Sequence, residues 1–305
     1  MTTPTRATAA TALAFALLLG ACSSETSGPS GGTGSLSSAQ ADALGGDIAE
    51  DVADLVDVSS FDPSSGIELA APAAGARAYV LQPPPACVTL SPLPVVNSDA
   101  DPVPDSLAFS YNDCVRLRAG GNLIDSLSGT IDFIDPLPNQ VSLGVRHRFH
   151  DFVRSRTNVP FPARSWRAVH NGLREWGGSA DTLGHTITGF TTERTFPGGR
   201  VRTHTRDWTS KFTATTPGSI ALGQPLPAGS WTLAGTGNWT AGGRAWSVVT
   251  TTVTPLAYDP SCTLEPRFTA GELNLVVTRN GEVSNVTITF TGCGAVTVAI
   301  VPAAT

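Results

Sequence analysis

The sequence predicts a mainly β protein: an antiparallel meander forming a curved open sheet, a half-barrel or a sandwich, with one N-terminal amphipathic helix. Three observations carry that prediction. From about residue 76 onward Thr, Val, Gly, Trp and Phe dominate, and apolar residues often alternate with polar ones, as on a half-buried strand. Leu273, Leu275 and Val277 share one parity, Val286, Ile288 and Phe290 share another, and Asn280-Gly281 between them is a strong hairpin signal. Pro197-Gly198-Gly199 and Gly242-Gly243 mark two further turns. Short turns between consecutive strands give a meander.

Near the start of the 305-residue chain a single basic residue, Arg6, precedes an apolar run from Ala9 to Leu19, followed by Gly20-Ala21-Cys22. The run is shorter than the ~20 residues a bilayer span needs, and small residues close it. It reads as a processing segment, residues 1–21, removed on export. Leu19-Gly20-Ala21-Cys22 resembles the lipobox of bacterial lipoproteins. That resemblance implies a diacylglycerol thioether on Cys22, an acylated amine, and a membrane partner engaged only through lipid. It also implies a cell-envelope location facing the periplasm or the exterior. Ser23, where aspartate would signal retention at the inner membrane, points to the outer membrane.

Residues 22–38 are rich in Ser, Gly and Thr and read as a flexible tether. The helix follows over about Ala39 to Val58, within a segment bounded as 39–60. Leu44, Ile48, Val52 and Leu55 form its apolar stripe. Asp42, Asp47, Glu50, Asp51, Asp54 and Asp57 fill the other positions, with Ser38 as N-cap. Gly45 and Gly46 weaken its first turns. The β-rich domain is expected over 61–305.

With Cys22 lipidated, Cys87, Cys114, Cys262 and Cys293 remain, an even number in an exported chain, which suggests disulfides. Three connectivities exist, and the local pairs Cys87–Cys114 and Cys262–Cys293 are favoured. Close C-x2-4-C spacings typical of zinc sites do not occur. Each favoured pair starts with a Cys-led segment and ends in an apolar-x-apolar-x-x-Cys run, which suggests one hairpin module used twice.

Asn97, Asp99, Asp101 and Asp105 place oxygens at alternate positions, as calcium loops do for a hard cation. The run resembles the D-x-D-x-D-G-x-x-D pattern of thrombospondin type 3 repeats. Pro102 stands where that pattern has glycine, and Ala108 stands at the closing acidic position. Calcium is therefore the one cofactor the chain suggests, against the plainer reading of an acidic, Pro-rich surface loop.

Charge is segregated. Residues 141–211 hold 12 of the 19 Lys and Arg but 5 of the 25 Asp and Glu, a net +7 against −13 elsewhere. Arg146, Arg148, His150, Arg154 and Arg156 share a parity opposite the row Val141, Leu143, Val145, Phe149 and Val153. Arg200, Arg202, His204 and Arg206 share another. Two such rows would make a cationic stripe suited to phosphate or carboxylate. The seven arginines then dock an anionic glycan, lipid or protein of the envelope, or else pair with the acidic helix or loops. Nucleic acid is excluded by the acidic balance and the compartment.

No G-x-S-x-G elbow, H-E-x-x-H helix, P-loop or dinucleotide glycine pattern occurs. His147 and His150 differ in parity and so cannot share a metal on one strand face. The expectation is a protein that is not an enzyme, with a binding or envelope-structural role. The alternative is a carrier of an apolar lipid or lipoprotein in a half-barrel cavity. The six tryptophans (Trp166, Trp176, Trp208, Trp231, Trp239, Trp246) read mainly as core.

Overall fold

A computed structural model describes residues 36–57, 86–99, 101, 103–118, 122–221 and 226–301. The expected processing segment, Cys22 and most of the expected tether lie outside these residues. Helix α1 spans Ser38–Asp57. Twelve strands follow: β1 Val88–Ser91, β2 Ser106–Arg118, β3 Leu123–Ile134, β4 Val145–Asn158, β5 Trp166–Gly178 and β6 Thr182–Thr195. The rest are β7 Val201–Ala214, β8 Gly229–Ala241, β9 Arg244–Tyr258, β10 Phe268–Arg279, β11 Glu282–Gly292 and β12 Ala295–Val301. They form one open antiparallel sheet in sequence order, with β1 and β12 at its edges. The predicted meander is therefore present as a single sheet. Among the described residues no helix is long and apolar enough to cross a membrane.

Turn chemistry sets the register. Asn280 (φ 52°) and Gly281 (φ 82°) link Arg279 to its partner Glu282, and Gly242 and Gly243 link Ala241 to Arg244. Both are two-residue turns with positive φ, whose twist matches the flanking strands. The predicted rows at Leu273, Leu275, Val277 and at Val286, Ile288, Phe290 are buried.

A line of irregularities crosses the first half of the sheet. Register shifts fall between Tyr111 and Cys114, Ser128 and Thr130, Phe149 and Phe152, Asn171 and Leu173, and Ile187 and Phe190. Asp113 and Asp151 there have positive φ. Side chains tie the seam together: Ser128 donates to Asp113 at 2.5 Å, the Asp151 amide donates to Asn171 at 2.8 Å, and the Gly189 amide donates to Asp207 at 2.6 Å. Bulges add twist and bend the strand, so their alignment curves the sheet. They also change which parity faces inward. In β4, Val145, His147 and Phe149 are buried before the bulge, whereas Phe152 and Arg154 are buried after it. The predicted β4 rows are corrected accordingly: Val141 and Leu143 precede the strand, and Val153 is only half-buried.

The helix lies on the inner face. Its cap is Ser37, not Ser38: the Gln40 amide donates to the Ser37 hydroxyl at 3.3 Å, and the Ser37 amide donates to the Gln40 side chain at 3.0 Å, a reciprocal capping box. Gly45 is buried, and a Cβ built there would lie 2.6 Å from a methyl of Val298 on β12. The glycine that weakens the isolated helix is what lets it approach the sheet. Trp176, Trp208, Trp231, Trp239 and Trp246 fill the interior, each at most 2% exposed.

Cys87–Cys114 and Cys262–Cys293 are bonded, as favoured from the sequence. The two are not copies of one module. The first joins the start of β1 to its neighbour β2, while the second joins the β9–β10 loop to the β11–β12 turn. Two disulfides fit an oxidising compartment outside the cytosol.

Candidate functional site: an acidic helix on an arginine and histidine face

The strongest concentration of polar chemistry lies between α1 and strands β6–β8. One turn of helix separates Asp47 from Asp51, which places both carboxylates over the same strip of sheet. Asp51 is fully buried and engages three partners. Arg194 Nη2 lies 2.8 Å from Oδ1, Arg206 Nη1 lies 3.0 Å from Oδ2, and His204 Nδ1 lies 2.5 Å from Oδ2. Asp47 takes Arg202 Nη1 at 3.2 Å and the indole N–H of Trp239 at 2.9 Å. Arg194 also donates to the Asp47 carbonyl at 3.2 Å and faces Glu50 at 3.3 Å.

The strands present these cations because their alternation aims them inward. On β7, His204, Arg206, Trp208, Ser210 and Phe212 are all buried. Arg206 donates to Thr192 at 3.0 Å, and Thr192 shares a 3.1 Å hydrogen bond with His170. Arg206 also lies over Phe190 and Trp208, at 4.9 and 5.4 Å from the ring centres. Arg174 lies 4.1 Å from the Phe190 centre. Cations over aromatic faces keep some of the stabilisation that burial removes.

The electrostatics follow from this packing. Burial alone would raise the Asp51 carboxyl, but Arg206, Arg194 and His204 outweigh it and hold the group well below the usual carboxylate range. His147 is pushed down to about 3 by burial and by Arg174. His170 and His185 are lowered well below 6.5, first by burial and then by nearby arginines. His204 is also lowered by burial, with Asp51 opposing the shift. His185 stacks on Trp176 at 3.8 Å and meets the Ser210 hydroxyl at 3.4 Å. The Asp51–His204 pair and the Ser210–His185 pair thus involve different histidines.

The seven arginines of the predicted stripe do not assemble into one face. The β4 bulge splits them. Arg146 and Arg148 point outward, and Arg146 pairs with Glu175 at 2.7 Å. His150, outward beside them, pairs with Asp132 at 2.8 Å. Arg154 and Arg156 flank Trp166 and reach Glu265 in the β9–β10 loop, at 3.8 and 3.5 Å. Arg156 also holds Asp125 at 2.9 Å. Arg200 is exposed in the β6–β7 turn, while Arg202 and Arg206 face the helix.

The acidic loop is likewise rearranged. Asn97 donates to the Asp101 carbonyl at 2.6 Å, and Asp105 accepts from the Ser98 amide and hydroxyl at 2.7 and 2.6 Å. Asn97 and Asp105 are engaged in folding the loop. Asp99 and Asp101 instead converge with Asp135, from the loop after β3. The sequence reading missed Asp135, which is 30 or more positions from its partners.

It also missed Asp47, Asp51 and Arg194 as interior residues, although one signal was present. Asp51 follows Leu44 by seven residues, about 20° short of two helical turns, so it sits on the apolar stripe. In comparisons with protein-family models, with curated proteins and with solved structures, nothing matches this chain.

Proposed function

We propose that the chain is an exported lipoprotein of the cell envelope, anchored through Cys22, with a non-enzymatic binding or structural role. The lipobox-like run Leu19 to Cys22 supports the anchor, and the two disulfides support an extracytoplasmic compartment. One observation carries the role: the chain's own helix neutralises the cationic inner face. Arg194, Arg202, His204 and Arg206 all bond to Asp47 or Asp51. Side chains arranged this way hold a rigid body together.

The outer membrane is the proposed location, with the body lifted off the bilayer by residues 22–38. Docking of an anionic envelope molecule would fall to Arg148 and Arg200, the two stripe arginines that are exposed. The interior is filled by tryptophan and phenylalanine rings, which gives the carrier reading no support. Separation of membrane and soluble fractions tests the anchor. Native protein should sediment with membranes, and Cys22→Ala should shift it to the soluble fraction while both disulfides still form. Membrane retention of Cys22→Ala contradicts the reading.

A further inference from the structure

We infer that Asp99, Asp101 and Asp135 form a calcium site that pins the loop before β2 to the loop after β3. One oxygen from each residue lies within 4.8 Å of the others. Calcium binds oxygen at about 2.3–2.6 Å, so oxygens on opposite sides of one ion are separated by up to about that distance. Magnesium dehydrates reluctantly and is seldom held by a set of protein carboxylates alone, so calcium is the better match.

The independent sign of a ligand is Asp135. It is only 3% exposed, and its Oδ2 meets no hydrogen-bond donor. The other oxygen, Oδ1, accepts from the Leu137 amide at 2.7 Å, which fixes the carboxylate in place. Asp99 repeats the arrangement: Oδ1 accepts from the Asp101 amide at 2.9 Å, and Oδ2 is buried with no donor. Asp101 is held by the amides of Val103 and Ser142, at 2.7 and 3.1 Å, which leaves each of its oxygens a free lone pair.

Buried carboxylate oxygens without donors are costly, and like charges at this spacing repel. A divalent cation answers both deficits at once. The Asp135 amide already reaches across to the carbonyls of Pro104 and Asp105, at 3.2 and 3.3 Å, so the two loops are in register to share it. Water would complete the coordination. The expected affinity is that of extracellular calcium modules, with Kd about 10⁻⁴–10⁻³ M.

The test is calorimetry and thermal melting of the full chain with calcium chloride alone, in the millimolar range at neutral pH. Wild type should bind one ion and melt at higher temperature. Asp135→Asn should weaken binding by at least about tenfold, as loss of a charged ligand does, yet melt no lower than wild type without calcium. Asp99→Asn, on the half-exposed side of the site, should weaken binding likewise. Magnesium should stabilise less. No heat and no melting shift in wild type would overturn the site. So would an undiminished calcium response in both variants, or equal stabilisation by magnesium.

Discussion

Asp51 on α1 and Arg206 on β7 meet at 3.0 Å with both side chains fully excluded from water. This pair fixes the helix against the middle of the sheet. It stands with Arg194 and His204 on the same carboxylate, so the four groups form one buried cluster. Such a cluster is worth less for net stability than for specifying one arrangement of helix on sheet, because desolvation offsets much of the attraction.

Removing one member should therefore be far worse than removing a matched pair. Asp51→Ala removes the buried carboxylate that Arg194, His204 and Arg206 share and should cost about 3–5 kcal/mol. The double variant Asp51→Leu with Arg206→Met should lose clearly less than the sum of the two single variants. Urea unfolding of all four proteins measures the coupling. Additive losses would mean that the two residues act independently.

Gly45 should tolerate nothing larger unless β12 gives way. Its missing Cβ occupies the space of the Val298 methyls. Gly45→Ala gains helix propensity but forces an overlap, and the net effect should be destabilising by about 1–3 kcal/mol. Val298→Ala in the same chain should recover most of that loss. A stabilised Gly45→Ala protein would show that helix and strand separate freely.

Acid should weaken the fold before it reaches the carboxylates. His147, His170, His185 and His204 all have folded-state values below 6.5. The unfolded chain therefore binds more protons at mildly acidic pH, and stability is complete above about 6.5 and falls below it. Each histidine contributes up to about 1.4 kcal/mol per pH unit in that window. Asp51 has the opposite reach. Its value lies below 3.8, so its contribution persists through the same window and erodes only at more acidic pH. Melting temperature should thus drop between pH 7.5 and 5.5. His147→Phe, placed between the Phe133 and Phe149 rings, should flatten the drop. A melting temperature constant over that range would refute the histidine assignment.

The disulfides hold opposite parts of the sheet and should act independently. They close loops with sequence separations of 27 and 31. Replacing either pair with serine should cost about 2–5 kcal/mol. Peptide mapping without reduction should recover Cys87 with Cys114 and Cys262 with Cys293. Crossed pairs would contradict the topology.

Much of the fold was legible because local rules determine it. Asn280-Gly281 and Gly242-Gly243 set two-residue turns, and rows such as Val286, Ile288 and Phe290 alternate without interruption. The bulges were not legible. Nothing in Phe149-His150-Asp151-Phe152 announces an extra residue, yet it turns Arg154 inward while Arg148 stays outside. Strict parity therefore fails at the seam, and with it the continuous arginine stripe. On β7 the row did carry the answer: Arg202, His204 and Arg206 share their parity with Trp208 and Phe212, which marks that row as interior. Asp135 was out of reach, because only the folded loops bring it to Asp99 and Asp101.

The most direct measurement is mass spectrometry of the mature protein from its native membranes, before and after reduction. The expected result is a chain that begins at Cys22, carries a diacylglyceryl group there, and gains the mass of four hydrogen atoms on reduction of its two disulfides. An unmodified N-terminus, or four free thiols without reduction, would contradict the envelope lipoprotein that the proposal describes.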